Sequence, residues 1–328
     1  MLNASAIARL LRNWTAEPLR GLQVPEAGTI NQTFLLKTPA GRYVLRAYRP
    51  VEREHVEREH HLVAYAQARG LPAPAPLPLL DGGTILERDG RFYALFPFIS
   101  GRQVRREDLS ASEIAAAGRF LALLHRTLRA YPLEMARQRT LTVGEHDRVT
   151  TLMALDRLEE IICLRKPLSE SDEVILSHLR VRREWVKRAD LGSAPGFSRL
   201  EQQIIHGDYQ ETNLFFSGSE VSGIIDWDQA YRAPYAWEVT RALHLMFQFE
   251  PAPSQQFLAA YREVLPLSLP DLEAAAVTYV AMRQCDLWAY TAIYLEQNDR
   301  VRRFFHAGPH ISLEERWQRL YQSLRKAL

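Results

Sequence analysis

The run His206-Gly207-Asp208-Tyr209-Gln210-Glu211-Thr212-Asn213, followed by Ile224-Ile225-Asp226-Trp227-Asp228, sets an acid, an amide and two further acids around one short apolar segment. Leu214-Phe215-Phe216 reads as a strand, Ser217-Gly218-Ser219-Glu220 as a turn, and Val221 to Ile225 as the returning strand. An antiparallel hairpin brings its two outer ends together. Asn213, just before the first strand, and Asp226, just after the second, should therefore be neighbours, with Asp208 on the loop leading in. A carboxylate base beside an Asn/Asp pair that can hold a hard cation is what phosphoryl transfer from Mg-ATP requires.

The pattern H-G-D, four residues, N, then an apolar strand closing on I-D-W resembles that of the aminoglycoside phosphotransferase and choline kinase superfamily. These are small-molecule relatives of the protein kinases, and they include a homoserine kinase branch and a bacterial stress-response Ser/Thr kinase branch. The match falls on His206, Gly207, Asp208, Asn213 and Asp226. The resemblance implies that Asp208 is the catalytic base, that Asn213 and Asp226 are metal ligands for Mg2+, and that ATP is the phosphoryl donor. It also implies a bilobal, protein-kinase-like α+β fold. A small β-sheet-plus-helix N-lobe over 1–98 would bind the nucleotide, with a hinge at about 96–101. A larger, mainly helical C-lobe over 102–328 would carry the catalytic loop and the acceptor site. His206 reads as ordering the loop through hydrogen bonds. Asp228 reads either as support for the metal or as a brace for the loop through Tyr231. Glu211 lies beside the site and reads as facing the substrate or, more simply, as solvated. Glu238 takes the place where the family often has an Asp before a helix.

On the nucleotide side, Arg46 is the well-placed cation, in a strand that follows a hairpin. The family usually carries a Lys or Arg on this strand and pairs it with a Glu of the next helix. Glu59 matches that position, while Glu57 and Glu54 on the same helix leave the pairing open. The stretch Ala27 to Thr33 falls where the family's phosphate-covering loop lies. It has one glycine, so Gly28 and Asn31 could place main-chain amides over phosphates or form an ordinary turn. The connector Phe96-Pro97-Phe98-Ile99 resembles the family's hinge, where adenine stacks on apolar residues such as Phe98.

The elements that must position these groups are legible in outline. Strand pairs are predicted at 33–36 with 42–48 and at 84–87 with 91–96. A charged helix follows over 51–69, ended by Gly70. Ser110 and Glu113 predict a capping box, followed by a helix with Ile114, Ala117, Leu121, Leu124 and Leu128 on one face. Further helices are expected at 150–164, 171–188, 236–248, 254–264, 312–327, and as one long helix at 270–297.

The chain has 328 residues, of which 47% are hydrophobic, so it can bury a substantial core. Its net charge is +2 and the charges interleave, which does not suggest a nucleic-acid partner. No apolar run approaches membrane-spanning length, and Met1 to Trp14 reads as a packed amphipathic helix, so a cytoplasmic protein with no membrane partner is expected. Cys163 and Cys285 read as free, buried thiols of a reducing compartment.

The superfamily phosphorylates aminoglycosides, choline, ethanolamine, homoserine and methylthioribose, and in one branch protein Ser/Thr. Residues 280–310 hold Arg283, Arg300, Arg302 and Arg303 against Asp286, Glu296 and Asp299, so no single sign dominates. The expected acceptor is a hydroxyl of a small molecule: an amino alcohol, an amino acid such as homoserine, or an aminoglycoside. The alternative is a protein Ser/Thr kinase of the stress-response branch, which the segment at 283–288 also resembles. A non-catalytic nucleotide-binding protein has no chemical reason to keep Asp208, Asn213 and Asp226 together. A metal-dependent hydrolase using His206, Asp208, Asp226 and Asp228 would need no ATP.

Overall fold

The computed structural model describes residues 2–15, 17–25, 31–141, 145–190, 194–305 and 311–326. They pack as two compact units. The first comprises Met1–Gln138, Gln203–Arg232 and Gln256–Pro266, and the second Arg139–Gln202, Ala233–Gln255 and Leu267–Leu328. This division by packing is drawn differently from a 1–98 and 102–328 pair of lobes, because the predicted hairpin and capped helix pack in the same unit as the N-terminal strands.

In the first unit, helix α1 (Ala4–Leu11) is capped by Asn3, whose side-chain oxygen accepts from the Ala6 amide at 2.9 Å. Five strands follow: β1 (Gly21–Gln23), β2 (Gln32–Thr38), β3 (Gly41–Ala47), β4 (Leu86–Arg88) and β5 (Arg91–Pro97). They form one antiparallel sheet in the order β1-β2-β3-β5-β4. Phe34, Leu36, Leu45, Tyr93 and Leu95 of the sheet pack with Ile7, Leu10, Leu11 and Trp14. Alternation along β2 buries Phe34, Leu36 and Thr38 and turns the residues between them outward. Helix α2 (Arg53–Ala68) crosses between β3 and β4 in sequence, and its Val56, Glu59, His60, Leu62, Val63 and Ala66 are buried.

Helix α3 (Ala111–Leu128) begins with the predicted reciprocal box between Ser110 and Glu113. Gly118 on α3 lies so close to the Phe257 main chain that a Cβ there would sit 2.3 Å from its carbonyl oxygen. Strand β6 (Gln202–Ile205) leads into the H-G-D loop, and β7 (Leu214–Ser217) with β8 (Glu220–Ile224) forms the predicted hairpin.

The second unit is helical: α4 (Glu145–Cys163), α5 (Glu170–Arg188), α6 (Tyr235–Phe247), α7 (Pro251–Arg262, whose later residues belong to the first unit), α8 (Leu269–Cys285), α9 (Trp288–Tyr294) and α10 (Leu313–Lys326). Leu155, Leu158 and Ile162 of α4 pack with Ile175, Leu176 and Leu179 of α5 and with Tyr290 and Ile293 of α9.

Two expectations are corrected here. The single helix at 270–297 is two helices. Asp286 leaves helical geometry at φ −81, ψ 108, and its carboxylate accepts from the Trp288 amide at 3.0 Å, starting α9. Arg182 donates to the carbonyls of Arg283, Gln284 and Asp286 at 2.8, 3.0 and 2.7 Å, satisfying acceptors that the break exposes. The cysteines are free, but Cys163 is exposed at the end of α4 and Cys285 is half-buried. Among the described residues, no helix is long and apolar enough to cross a membrane.

Candidate active site

The hairpin brings its ends together as the sequence predicts. Leu214 pairs with Ile224, and the Ile225 amide donates to the Asn213 carbonyl at 3.0 Å. Leu214 and Phe216 point into the core while Phe215 is half-buried, the alternation a two-sided strand requires. Asn213 closes a short 3-10 turn from Glu211 and is buried.

His206 is fully buried and ties the incoming loop to the hairpin. Its Nε2 donates to the Ile225 carbonyl at 3.0 Å, and its Nδ1 accepts from the Asp208 amide at 3.3 Å. The ring edge rests on Trp227, centroid to centroid 4.9 Å. These bonds are those of a loop-ordering side chain. Gly207 follows at φ +82, and a Cβ there would lie 2.1 Å from the Gln229 carbonyl oxygen. Both the backbone angle and the close approach demand glycine.

Asp208 is half-buried. Its Oδ2 accepts from Asn213 Nδ2 at 2.9 Å and from Gln210 Nε2 at 2.9 Å. Asn213 Nδ2 also donates to the Asp208 carbonyl at 2.8 Å. The carboxylate and the amide of the sequence motif are therefore in direct contact.

Asp226 sits in the left-handed region, φ 69 and ψ 56, which Asp tolerates better than most residues. Its Oδ1 accepts from Arg46 Nη2 at 2.9 Å. The same guanidinium bonds Glu59 Oε1 at 2.7 Å and stands 3.6 Å from Asp228 Oδ2. Glu59 is thus the helix partner of Arg46, whereas Glu57 is exposed and lies 3.7 Å from Arg53. Asp228 is buried beside Arg46, a contact that no spacing in the sequence announces.

One cation therefore faces three carboxylates, and the titration behaviour follows. Burial alone would lower the Arg46 pKa, but Glu59, Tyr48, Asp226 and Asp228 outweigh it and hold the guanidinium charged. Burial pushes the Glu59 carboxyl up to about 7, against the pull of Arg46 and with the help of Asp228 and Asp226. Burial and then the Asp228 charge also raise Asp226. Behind Glu59, the Tyr48 hydroxyl and His60 Nε2 are 3.0 Å apart, and His60 Nδ1 and Thr84 Oγ1 are 2.7 Å apart. Burial, then Arg46, lowers His60 to about 4, so the ring is neutral at pH 7.

The other expected nucleotide contacts fall as follows. Asn31 accepts from the Arg49 amide at 3.0 Å, closing the entrance to β2 against the end of β3. Gly28 lies outside the described residues. The Phe98 amide donates to the Arg42 carbonyl at 3.3 Å, and the Arg42 guanidinium covers the Phe98 ring at 3.8 Å. The connector is fastened to the hairpin. Arg102 and Phe216 exchange two main-chain bonds of 2.9 Å, and Ser222 Oγ donates to the Ser100 carbonyl at 3.0 Å. Glu211, expected to be solvated, is buried, 3.8 Å from Arg106 Nε, and burial raises its carboxyl. The short turn that carries Asn213 folds this side chain inward.

Two oxygens have the chemistry of a hard-cation site. Among the described residues, Asn213 Oδ1 and Asp226 Oδ2 accept no hydrogen bond, because Asn213 donates through its nitrogen and Asp226 meets Arg46 through Oδ1. No cluster of three or more His, Cys, Asp or Glu suited to a metal occurs among the described residues.

Comparison with known proteins bears on this arrangement. The profile of the phosphotransferase enzyme family matches residues 21–277. The homoserine kinase of Mesorhizobium japonicum is 30% identical over 247 residues, covering 74% of this chain and 71% of that protein. A spectinomycin phosphotransferase solved with ADP and spectinomycin superposes with a TM-score of 0.72 at 15% identity, covering 98% of this chain and 99% of that one. An aminoglycoside phosphotransferase from Alicyclobacillus acidocaldarius superposes with a TM-score of 0.69 at 12% identity, covering 100% and 96%. These likenesses establish the protein-kinase-like α+β fold of the aminoglycoside phosphotransferases. With its sheet, its hairpin and the H-G-D loop in that frame, the chain belongs to the phosphotransferase enzyme family.

Proposed function

We propose that the protein transfers the γ-phosphoryl group of ATP to a hydroxyl of a small amino-bearing molecule, with an amino acid such as homoserine or an amino alcohol as the acceptor class. The observation that carries this reading is the meeting of Asp208, Asn213, Asp226 and Arg46 in one unit, linked by hydrogen bonds and ion pairs. The homoserine kinase relative and the spectinomycin phosphotransferase neighbour support a small acceptor that carries nitrogen and a hydroxyl.

In this reading Asp208 orients the acceptor hydroxyl and takes its proton. The acceptor oxygen bonds to the γ phosphorus as the bond from that phosphorus to the β–γ bridging oxygen breaks, and ADP leaves with the electron pair. When bound through Asn213 and Asp226, Mg2+ supplies neutralising charge for the β and γ oxygens. Arg46, gripped by buried Glu59, offers planar forked donors suited to phosphate oxygens. Phe98 and the main chain of the connector would receive adenine, and Asn31 would border the phosphates.

The test is ATP consumption with Mg2+ against L-homoserine, choline, ethanolamine, methylthioribose, several aminoglycosides and a generic protein substrate, with Asp208→Asn as control. Turnover that depends on a small acceptor and disappears in the control supports the reading. Turnover on the protein substrate alone would replace it with a Ser/Thr kinase. The absence of both turnover and nucleotide binding would end it.

A further inference from the structure

We propose that Gln210 is a positioning residue for the catalytic carboxylate, holding Asp208 in the orientation that phosphoryl transfer requires. The inference rests on the assignment of Asp208 as the base. The carboxylate torsion of an Asp is broad and nearly two-fold, so nothing intrinsic fixes which way its oxygens face. Here two amide nitrogens converge on the same oxygen, Oδ2: Gln210 Nε2 at 2.9 Å and Asn213 Nδ2 at 2.9 Å. Two donors on one oxygen constrain the carboxylate plane more tightly than one does.

The two donors are not equivalent. Asn213 is also bonded to the Asp208 carbonyl and, in the reading above, lends its own oxygen to the metal. Removing it would disturb base, loop and cation together. The Gln210 side chain has one hydrogen bond among the described residues, the one to Asp208. Its structural duty is carried by its main chain, whose carbonyl accepts from the Asn213 amide at 3.0 Å and starts the 3-10 turn. Its backbone is extended, at φ −156 and ψ 165, a conformation open to any residue. The side chain can therefore change without unmaking the turn, which confines its role to orientation. A misplacement of about 1 Å at a reacting group can cost about a hundredfold in rate.

The experiment compares Gln210→Ala, Gln210→Glu and Gln210→His with the parent and with Asp208→Asn. ADP release from Mg-ATP is followed with L-homoserine and with water alone as acceptor, and each variant is melted. We expect Gln210→Ala to lower kcat about tenfold or more with KM for ATP and Tm unchanged. Gln210→Glu should fall further, because it sets a second carboxylate where a donor was. Gln210→His, which keeps an N–H of similar reach, should recover part of the loss. The proposal is overturned if Gln210→Ala keeps kcat within twofold, if Gln210→Glu is no worse than Gln210→Ala, or if kcat falls only alongside Tm. Turnover that survives in Asp208→Asn would instead overturn the assignment of the base, a separate result.

Discussion

Two buried charged clusters, one in each compact unit, behave in opposite ways. In the first, Arg46 faces Glu59, Asp226 and Asp228, and the Glu59 and Asp226 carboxyls are pushed up. In the second, Asp172 at the start of α5 accepts from Ser169 Oγ at 2.7 Å, the Ser169 amide at 3.2 Å, Tyr294 Oη at 2.6 Å and Arg302 Nη1 at 3.1 Å. Burial would raise Asp172, but the bonds from Tyr294, Ser169 and Arg302 outweigh it and hold the carboxyl below its ordinary range. Burial is common to both, so the partners decide the sign. Four donors around one carboxylate make a structural lock. Three carboxylates around one cation leave negative charge uncompensated, which costs stability and suits a site that receives a cation.

Removing the charges one at a time separates the two clusters. Asp208→Asn should lower turnover by about a thousandfold while Mg-ATP still binds by calorimetry. Loss of nucleotide binding along with turnover would assign Asp208 a different role. Asp226→Asn should lower turnover by about a hundredfold or more if, as proposed above, its carboxylate holds the metal. In the metal-free protein the same change should leave stability unchanged or raise it by about 1 kcal/mol. Repulsion with Asp228 is relieved, and the partly exposed pair with Arg46 contributes little. A clear drop in the melting temperature would show that the cluster is a lock like the other.

Asp172→Asn should act with the opposite sign, destabilising the protein by about 1–3 kcal/mol at pH 7 in denaturant unfolding, because it weakens charge-assisted bonds to Tyr294, Ser169 and Arg302. The smallest effect is its pH dependence. The folded carboxyl is depressed, so the stabilisation it gives is complete above the unfolded value of about 4 and is lost as pH falls through the folded one. The difference between parent and Asp172→Asn should therefore shrink on acidification below about pH 4. A difference that stays constant across that range would show that the charge of Asp172 does not matter.

Much of the fold was legible because its signals are local. The capping box at Ser110 and the Gly218 turn that joins β7 to β8 each rest on residues a few positions apart. The break within 270–297 is less legible, because the local Asp286 turn is held in part by a distant side chain: Arg182, from α5, donates to the carbonyls that the turn exposes. The burial of Glu211 is not legible, because a three-residue turn, and not its polarity, sets its direction. Cys163 looked buried because its neighbours are apolar, yet it faces outward at a helix end.

The sequence already carries the chemistry on offer, in Asp208 on its loop and in Asn213 and Asp226 at the ends of a hairpin whose register brings the two together. It also determined the family, since spacing along the chain is what a motif records. Packing alone selects Glu59 over Glu57 for Arg46, brings Asp228 into the same cluster and turns Gln210 toward Asp208. Those choices depend on helix rotation, on burial and on main-chain turns that bring distant or short-range side chains to one point. Sequence spacing constrains which residues can meet, but packing and hydrogen-bond satisfaction select which of them do.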